Sequence, residues 1–310
     1  MLQYLIILLD ETSTSYCHYD NQCKERKTIS LETLRKGIRF AMKENLMIQF
    51  VYPGHELSDE IKSEIETIDH SKIVSASNIE RKADVVVCDW SCLPEDADIP
   101  VVLRTSIKDF LEKYEGLYDI LAKLPRTNIV FTDVENFSDS KIDEYKTALD
   151  GLAKRLEKIY AEGKSPQFNL LTDRMMLKEM NNCGAGDTNI TLAPDGMFYI
   201  CPAFYHEGLE AIGDMERGTM IPNQQLYKLD HAPLCRNCDA YQCKRCVWLN
   251  QKLTLEVNTP SRQQCIMAHL ERNTARELLN KIRKHGTFLP EMEEIKEIDY
   301  LEPFEKSDNF

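Results

Sequence analysis

The sequence predicts an α/β protein, with parallel βα units in its first half and a cysteine-rich block in its second. Three observations carry this prediction. Up to residue 172, short apolar runs alternate with amphipathic stretches at helical spacing. After Cys183 the texture changes to loop-rich sequence with Gly, Pro and Asn. Seven of the eleven cysteines lie between Cys183 and Cys265. The expected divisions are 1–172, 173–285 and an acidic tail at 286–310.

Residues 2–9 are continuously apolar and read as a buried strand, with Asp10 and Glu11 at its end. Ser30 is a helix N-cap, followed by Leu31, Leu34, Ile38, Ala41 and Met42 at helical spacing. Residues 46–53 read as a strand closed by Pro53-Gly54, and 57–69 as an acidic helix. Lys72–Ala76, Ala83–Cys88 and 99–104 are further apolar runs. Ser106 caps a helix whose apolar face runs from Ile107 to Leu121, with Asp109 as a variant capping box. Residues 127–132 form a strand, 140–162 a long helix opened by Ser140 and Asp143, and 167–171 a last apolar run. Alternation of this kind fits part of a barrel or an open doubly wound sheet. Beyond Cys183, Pro194-Asp195-Gly196 between two apolar runs signals a hairpin that ends at Cys201. Residues 202–264 carry little order apart from their cysteines, and 266–284 read as a helix.

The composition, 43% hydrophobic and 29% charged, is that of a globular protein able to bury a full core without metal. A net charge of −13 without a long basic run argues against nucleic acid and anionic membrane surfaces as partners. The first ten residues lack a basic flank and a small-residue cleavage site, and no stretch approaches 18 apolar residues. A cytoplasmic protein is expected, in which clustered thiols serve as metal ligands rather than disulfides.

Cys235-x2-Cys238 and Cys243-x2-Cys246 stand almost back to back, four residues apart. Such pairs hold zinc or iron–sulfur clusters. Zinc ribbons separate their pairs by about 15–20 residues, and one zinc is saturated by four ligands. The candidate ligands Cys183, Cys201, Cys235, Cys238, Cys243, Cys246 and Cys265 therefore fit two clusters better than one zinc, with zinc as the alternative.

Cys183, twelve residues, Gly196, four residues and Cys201 match the first half of the SPASM motif, and the two pairs with Cys265 resemble its second half. SPASM domains are iron–sulfur extensions of peptide-modifying radical S-adenosylmethionine (SAM) enzymes. The resemblance implies a radical-SAM-like partial (β/α) barrel followed by a SPASM-like domain. It also implies two 4Fe-4S clusters: Cys235, Cys238, Cys243 and Cys265 on one, and Cys183, Cys201 and Cys246 on the other, which keeps an open iron. Two gaps of the quartet are one residue shorter than the common form. The Cys-x3-Cys-x2-Cys that holds the SAM cluster after the first strand is absent: that position offers Cys17 and Cys23 alone. Ordinary SAM cleavage is not expected. Over nearly its whole length, and through residues 5–21, 36–54 and the block from Cys183, the chain resembles the CXXX-repeat peptide maturases. Membership would imply a Cys-repeat precursor peptide as substrate and a true radical SAM enzyme as partner.

Cys17, His18, Cys23 and Cys92 form a possible second metal or redox site at strand ends, where βα folds place function. The alternative is surface loops with incidental thiols. Cys88 reads as core. Asp10 and Glu11 can bind a cation or act as a base, or simply cap a strand end.

Overall fold

The computed structural model describes residues 2–285 apart from 20, 22, 24, 77–82 and 181; the tail at 286–310 lies outside the described residues. Eleven strands form one sheet in the order β11-β10-β9-β8-β1-β2-β3-β4-β5-β6-β7. In chain order these are β1 (Tyr4–Leu8), β2 (Met47–Val51), β3 (His70–Ser75), β4 (Val85–Cys88), β5 (Val101–Thr105), β6 (Arg126–Phe131), β7 (Gln167–Phe168), β8 (Asn189–Leu192), β9 (Met197–Tyr199), β10 (Gly213–Asp214) and β11 (Gly218–Thr219). From β8 through β1 to β7 every pairing is parallel. β9, β10 and β11 continue antiparallel beyond β8. The division expected at 172/173 thus falls within a single sheet, because β8 pairs directly with β1.

The helices are α1 (Leu31–Glu44), α2 (Asp59–Ile65), α3 (Ile107–Lys113), α4 (Ile142–Ala161), α5 (Thr172–Met176), α6 (Pro202–His206), α7 (Val247–Thr254) and α8 (Arg262–Ile282). None is long and apolar enough to cross a membrane. Strand alternation divides the core. Leu5, Ile7, Phe50, Val86, Leu103 and Ile129 join the helix-covered core. Ile6, Leu8, Val51, Val87, Val102 and Val130 line the opposite, inner face.

Ser30 caps α1 as expected, its hydroxyl accepting from Thr33 N at 3.0 Å. Ser106 caps α3, accepting from Asp109 N at 3.0 Å and donating to the Asp109 carboxylate at 2.8 Å. The helix expected to run to Leu121 stops at Lys113 and tightens into a 3-10 turn over Tyr114–Leu117. Gly116 lies in that turn, and Arg155 of α4 takes the Tyr118 carbonyl at 2.6 Å. Ser140 does not cap α4, which is entered through a 3-10 turn at Asp139–Lys141. The run 167–171 is strand only at Gln167–Phe168. There the Asn169 side chain replaces the ladder, accepting from Ile129 N at 2.8 Å and donating to Ile129 O at 2.9 Å. Residues 202–264 hold more order than expected, namely α6, α7 and the β10–β11 hairpin. α8 opens four residues earlier than its apolar pattern, through a Ser261–Gln264 capping box.

Candidate metal centres

The first centre lies on the inner face of the sheet. Arg104 of β5 shares the parity of Val102 and reaches the loop that follows β1. It donates to the carbonyls of Ser15, at 3.5 Å, and Tyr19. Its guanidinium also stands 5.3 Å from the centre of the Tyr19 ring. Tyr19 in turn stacks on His206 at 5.1 Å and meets the edge of Trp248 at 6.4 Å. Tyr16 donates to Gln49 at 3.2 Å, and His18 Nδ1 donates to the Phe131 carbonyl at 3.0 Å. The loop is thereby fixed from several sides. It turns Cys17 into a cavity of about 270 Å³ that Cys183, Cys201 and Cys246 also line.

Each of these thiols arrives on a separate segment. The β8–β9 hairpin turns at Gly196, with φ of +85°, and delivers Cys201 to the head of α6. Cys246 heads α7. Cys183 sits before a turn at Gly184, whose φ is +69° and where a Cβ would meet the Thr188 hydroxyl at 1.9 Å. Burial pushes the Cys17 thiol up to about 12 and raises Cys201 and Cys246 as well. Amides in the first turns of α6 and α7 oppose that rise only in part.

The second centre is built from the two pairs and α8. Cys235, Cys238, Cys243 and Cys265 line a cavity of about 80 Å³. Cys238 N donates to Cys235 O at 3.1 Å, and Ala240 N to Cys238 Sγ at 3.4 Å, which curls the first pair around its own sulfurs. His269, one helical turn past Cys265, brings Nε2 to 3.3 Å from Cys238 Sγ. Asp239, next to Cys238, is clamped by Arg272 through Nε–Oδ1 at 3.0 Å and Nη2–Oδ2 at 2.6 Å, and by Arg174 at 3.3 Å. Burial pushes Cys235, Cys243 and Cys265 up to about 12.

Cys243 and Cys246 belong to one Cys-x2-Cys but face different cavities. The reversal comes at Arg245, a non-glycine residue with φ of +38°. Arg245 is buried and donates to the Tyr227 carbonyl, while Lys244 lies 3.7 Å from Asp173. Between the two centres, His18, Cys243, Cys246 and Glu271 border a hollow of about 70 Å³. The Glu271 carboxylate accepts from Tyr145 at 2.6 Å and from Gln242 at 3.3 Å, and its burial pushes it up to about 7.

The eight thiols are thus sorted four and four. Cys235, Cys238, Cys243 and Cys265 come together as one set, and Cys183, Cys201 and Cys246 as another that Cys17 joins. The second site expected from Cys17, His18, Cys23 and Cys92 is not assembled. Cys17 and His18 turn inward under the bonds just described. Cys23 Sγ lies 3.6 Å from a Glu11 oxygen. Cys92 Sγ lies 3.6 Å from Asp89 and borders a separate polar cavity of about 610 Å³. Cys88 is core. Asp10 is a structural acceptor, bonded by Thr12 N at 2.9 Å and by the Thr28 hydroxyl at 2.9 Å, and Glu11 accepts from Tyr205 at 3.0 Å.

The donor sets fit iron–sulfur clusters. Each is four soft thiols in a largely apolar pocket, with Lys244 and Arg245 beside them to offset thiolate charge. Among the described residues, no three His, Cys, Asp or Glu side chains are gathered tightly enough for a single ion. Sequence reasoning missed Arg104, Asp239, Arg272 and His269. Of these only His269 carried a local signal, its spacing of four from Cys265 on one helix face.

No protein-family model matches the chain, and no curated protein is similar to it in sequence. Solved structures are similar in shape. Hexahistidine-tagged anSMEcpe with bound AdoMet aligns with a TM-score of 0.65 at 13% identity, over 92% of this chain and 96% of that one. Native anSMEcpe with AdoMet and the Cp18Cys peptide aligns with a TM-score of 0.62 at 12% identity, over 92% of this chain and 100% of that one. At such identity the likeness is one of fold. It extends over nearly the whole of both chains, so this protein has the fold of anSMEcpe.

Proposed function

We propose that this protein takes part in maturing a ribosomally made precursor peptide of repeated Cys-x-x-x units, holding an iron–sulfur cluster in each cysteine cavity and not cleaving SAM in the ordinary way. The observation that carries this reading is the sorting of eight thiols into two sets of four. A 4Fe-4S cluster takes four thiolates and supplies one-electron chemistry when bound. Lys244 and Arg245, between the cavities, would offset the charge of both sets. The fold shared with anSMEcpe supports peptide modification as the general task, since that enzyme binds AdoMet and a peptide. Against SAM cleavage stands the lack, among the described residues, of three convergent thiols past β1. Cys17 faces the inner cavity while Cys23 pairs with Glu11. The resemblance of residues 5–21, 36–54 and the block from Cys183 to the CXXX-repeat maturases is what suggests a Cys-repeat substrate and a true radical SAM enzyme as partner.

The test begins with anaerobic purification and counts of iron, sulfide and zinc. About eight irons per chain are expected for two clusters. The chain is then co-expressed with a Cys-repeat peptide and the partner enzyme, and the peptide is weighed by mass spectrometry. Cys246→Ala should abolish the mass change and leave the circular dichroism spectrum intact. Normal modification by that variant would sink the reading.

A second reading keeps the metal structural and makes the protein a carrier that delivers the peptide to the radical SAM enzyme. The missing SAM triad favours it. On that reading the iron-stripped chain still binds the peptide, and modification depends on the partner's cluster alone.

A further inference from the structure

We infer that Cys17 is the fourth protein ligand of the inner-cavity cluster, so that this centre is closed by four thiolates and presents no open iron. The inference rests on the proposed presence of clusters and deepens it. The resemblance to SPASM domains implies three ligands for this centre, Cys183, Cys201 and Cys246, and leaves a fourth corner unassigned. The cavity supplies one. Cys17 lines it together with the other three, although it lies 166 residues before the nearest of them.

The loop that carries Cys17 is held as a ligand loop should be. Arg104 binds the carbonyls of Ser15 and Tyr19, two residues to either side of Cys17. Tyr16 and His18, its immediate neighbours, are tied to β2 and β6. Among the described residues its own sulfur has one weak polar neighbour, the Ser15 hydroxyl at 3.7 Å. Three of the four thiols therefore belong to the segment after residue 172, and the fourth comes from the loop that follows β1. His18 also faces the cavity, but its Nδ1 is committed to Phe131, and iron–sulfur corners favour thiolate. A closed centre cannot take a substrate thiolate onto iron. Its role in the reaction would be electron transfer, and peptide would bind elsewhere.

The experiment uses the anaerobically reconstituted full chain. Iron and sulfide are counted in wild type, Cys17→Ala and, as a control, Cys92→Ala, with electron paramagnetic resonance of the oxidised and reduced proteins. Wild type and Cys92→Ala should hold about eight irons. Cys17→Ala should fall to about seven, with a new three-iron signal, or to about four through loss of the whole cluster. Undiminished iron with an unchanged spectrum in Cys17→Ala overturns the inference and leaves the proposed clusters standing. An iron-free wild type overturns both.

Because Cys17→Ala can misfold, wild type is also alkylated with iodoacetamide before and after iron is chelated. Cys183, the exposed member of the set, is the internal reference. Cys17 should be protected with Cys183 in the loaded protein and become reactive with it on stripping, while Cys23 and Cys92 react throughout. Labelling of Cys17 in the loaded protein while Cys183 stays protected overturns the inference.

Discussion

Asp239→Asn isolates the buried clamp that holds the first cysteine pair against α8. Arg272 is fully buried and Arg174 nearly so, at 0% and 8% side-chain exposure, while Asp239 retains 20%. Asparagine keeps the shape and one acceptor oxygen but removes the charge that both guanidiniums face. Breaking a buried pair from one side costs about 3–5 kcal/mol, because the other charge is left uncompensated. A chain of this size unfolds with an entropy of about 0.6 kcal/mol/K, so the loss should appear as a fall in Tm of about 5–8 °C. Thermal unfolding of the metal-free chain by circular dichroism reads this without interference from clusters. The triple variant Asp239→Leu/Arg174→Met/Arg272→Met removes all three charges and should lose less than Asp239→Asn alone. A Tm change below about 1.5 °C in the single variant, or a larger loss in the triple than in the single, would refute the argument. A second readout is iron content on reconstitution, which should fall at the Cys235–Cys265 centre because Asp239 adjoins Cys238.

Three further outcomes follow from buried groups and tight turns. Glu271, pushed up from 4.5 to about 7, keeps its proton in the folded chain while an unfolded one loses it above 4.5. Folded stability should therefore decline as pH rises through 4.5–7, by roughly 3 kcal/mol in all. Glu271→Gln should flatten that decline and be the more stable protein at pH 8, with little difference at pH 5, as read from urea midpoints; an unchanged pH slope would contradict the assignment. Gly213→Ala sets a Cβ 2.0 Å from the Gly218 carbonyl oxygen, at a backbone φ of +142°. It should undo the β10–β11 pairing at about 1–3 kcal/mol, seen as faster hydrogen exchange at the Met220 amide that bonds Ile212. Normal protection there would show that the turn yields. Arg104→Lys keeps the charge but cannot span the carbonyls of Ser15 and Tyr19, and losing one such bond costs about 1–3 kcal/mol. In the iron-stripped chain it should speed alkylation of Cys17 several-fold and leave Cys92 unchanged.

What the sequence made legible was local. The run at residues 2–9, which forms a strand over Tyr4–Leu8, the Ser30 and Ser106 caps and the Pro194-Asp195-Gly196 hairpin are all set by neighbours within a few residues, and each lies where the local pattern put it. The grouping of Cys235, Cys238, Cys243 and Cys265 came from the resemblance to SPASM domains, because spacing alone keeps Cys243 with Cys246. Nearness in sequence misled where long-range bonds decide. Cys17 looked like a partner of Cys23, six residues on, but Arg104, 89 residues from Ser15, turns it the other way. Asn169 ended a strand by replacing backbone with side chain on β6, which no propensity scale anticipates. The left-handed Arg245, which splits one cysteine pair between two cavities, belongs to a residue type that seldom adopts that backbone.

The position of β1 in the sheet has a consequence for synthesis on the ribosome. β1 is made before both of its neighbours, and the one on its first side, β2, follows within 40 residues of its end. Its neighbour on the other side, β8, is separated from it by about 180 residues. At about 5–20 residues per second, one edge of the most apolar strand stays bare for roughly 10–40 s. A bare apolar edge is a template for pairing with the wrong chain. Aggregation during expression should therefore track elongation speed between β2 and β8 more closely than the supply of iron.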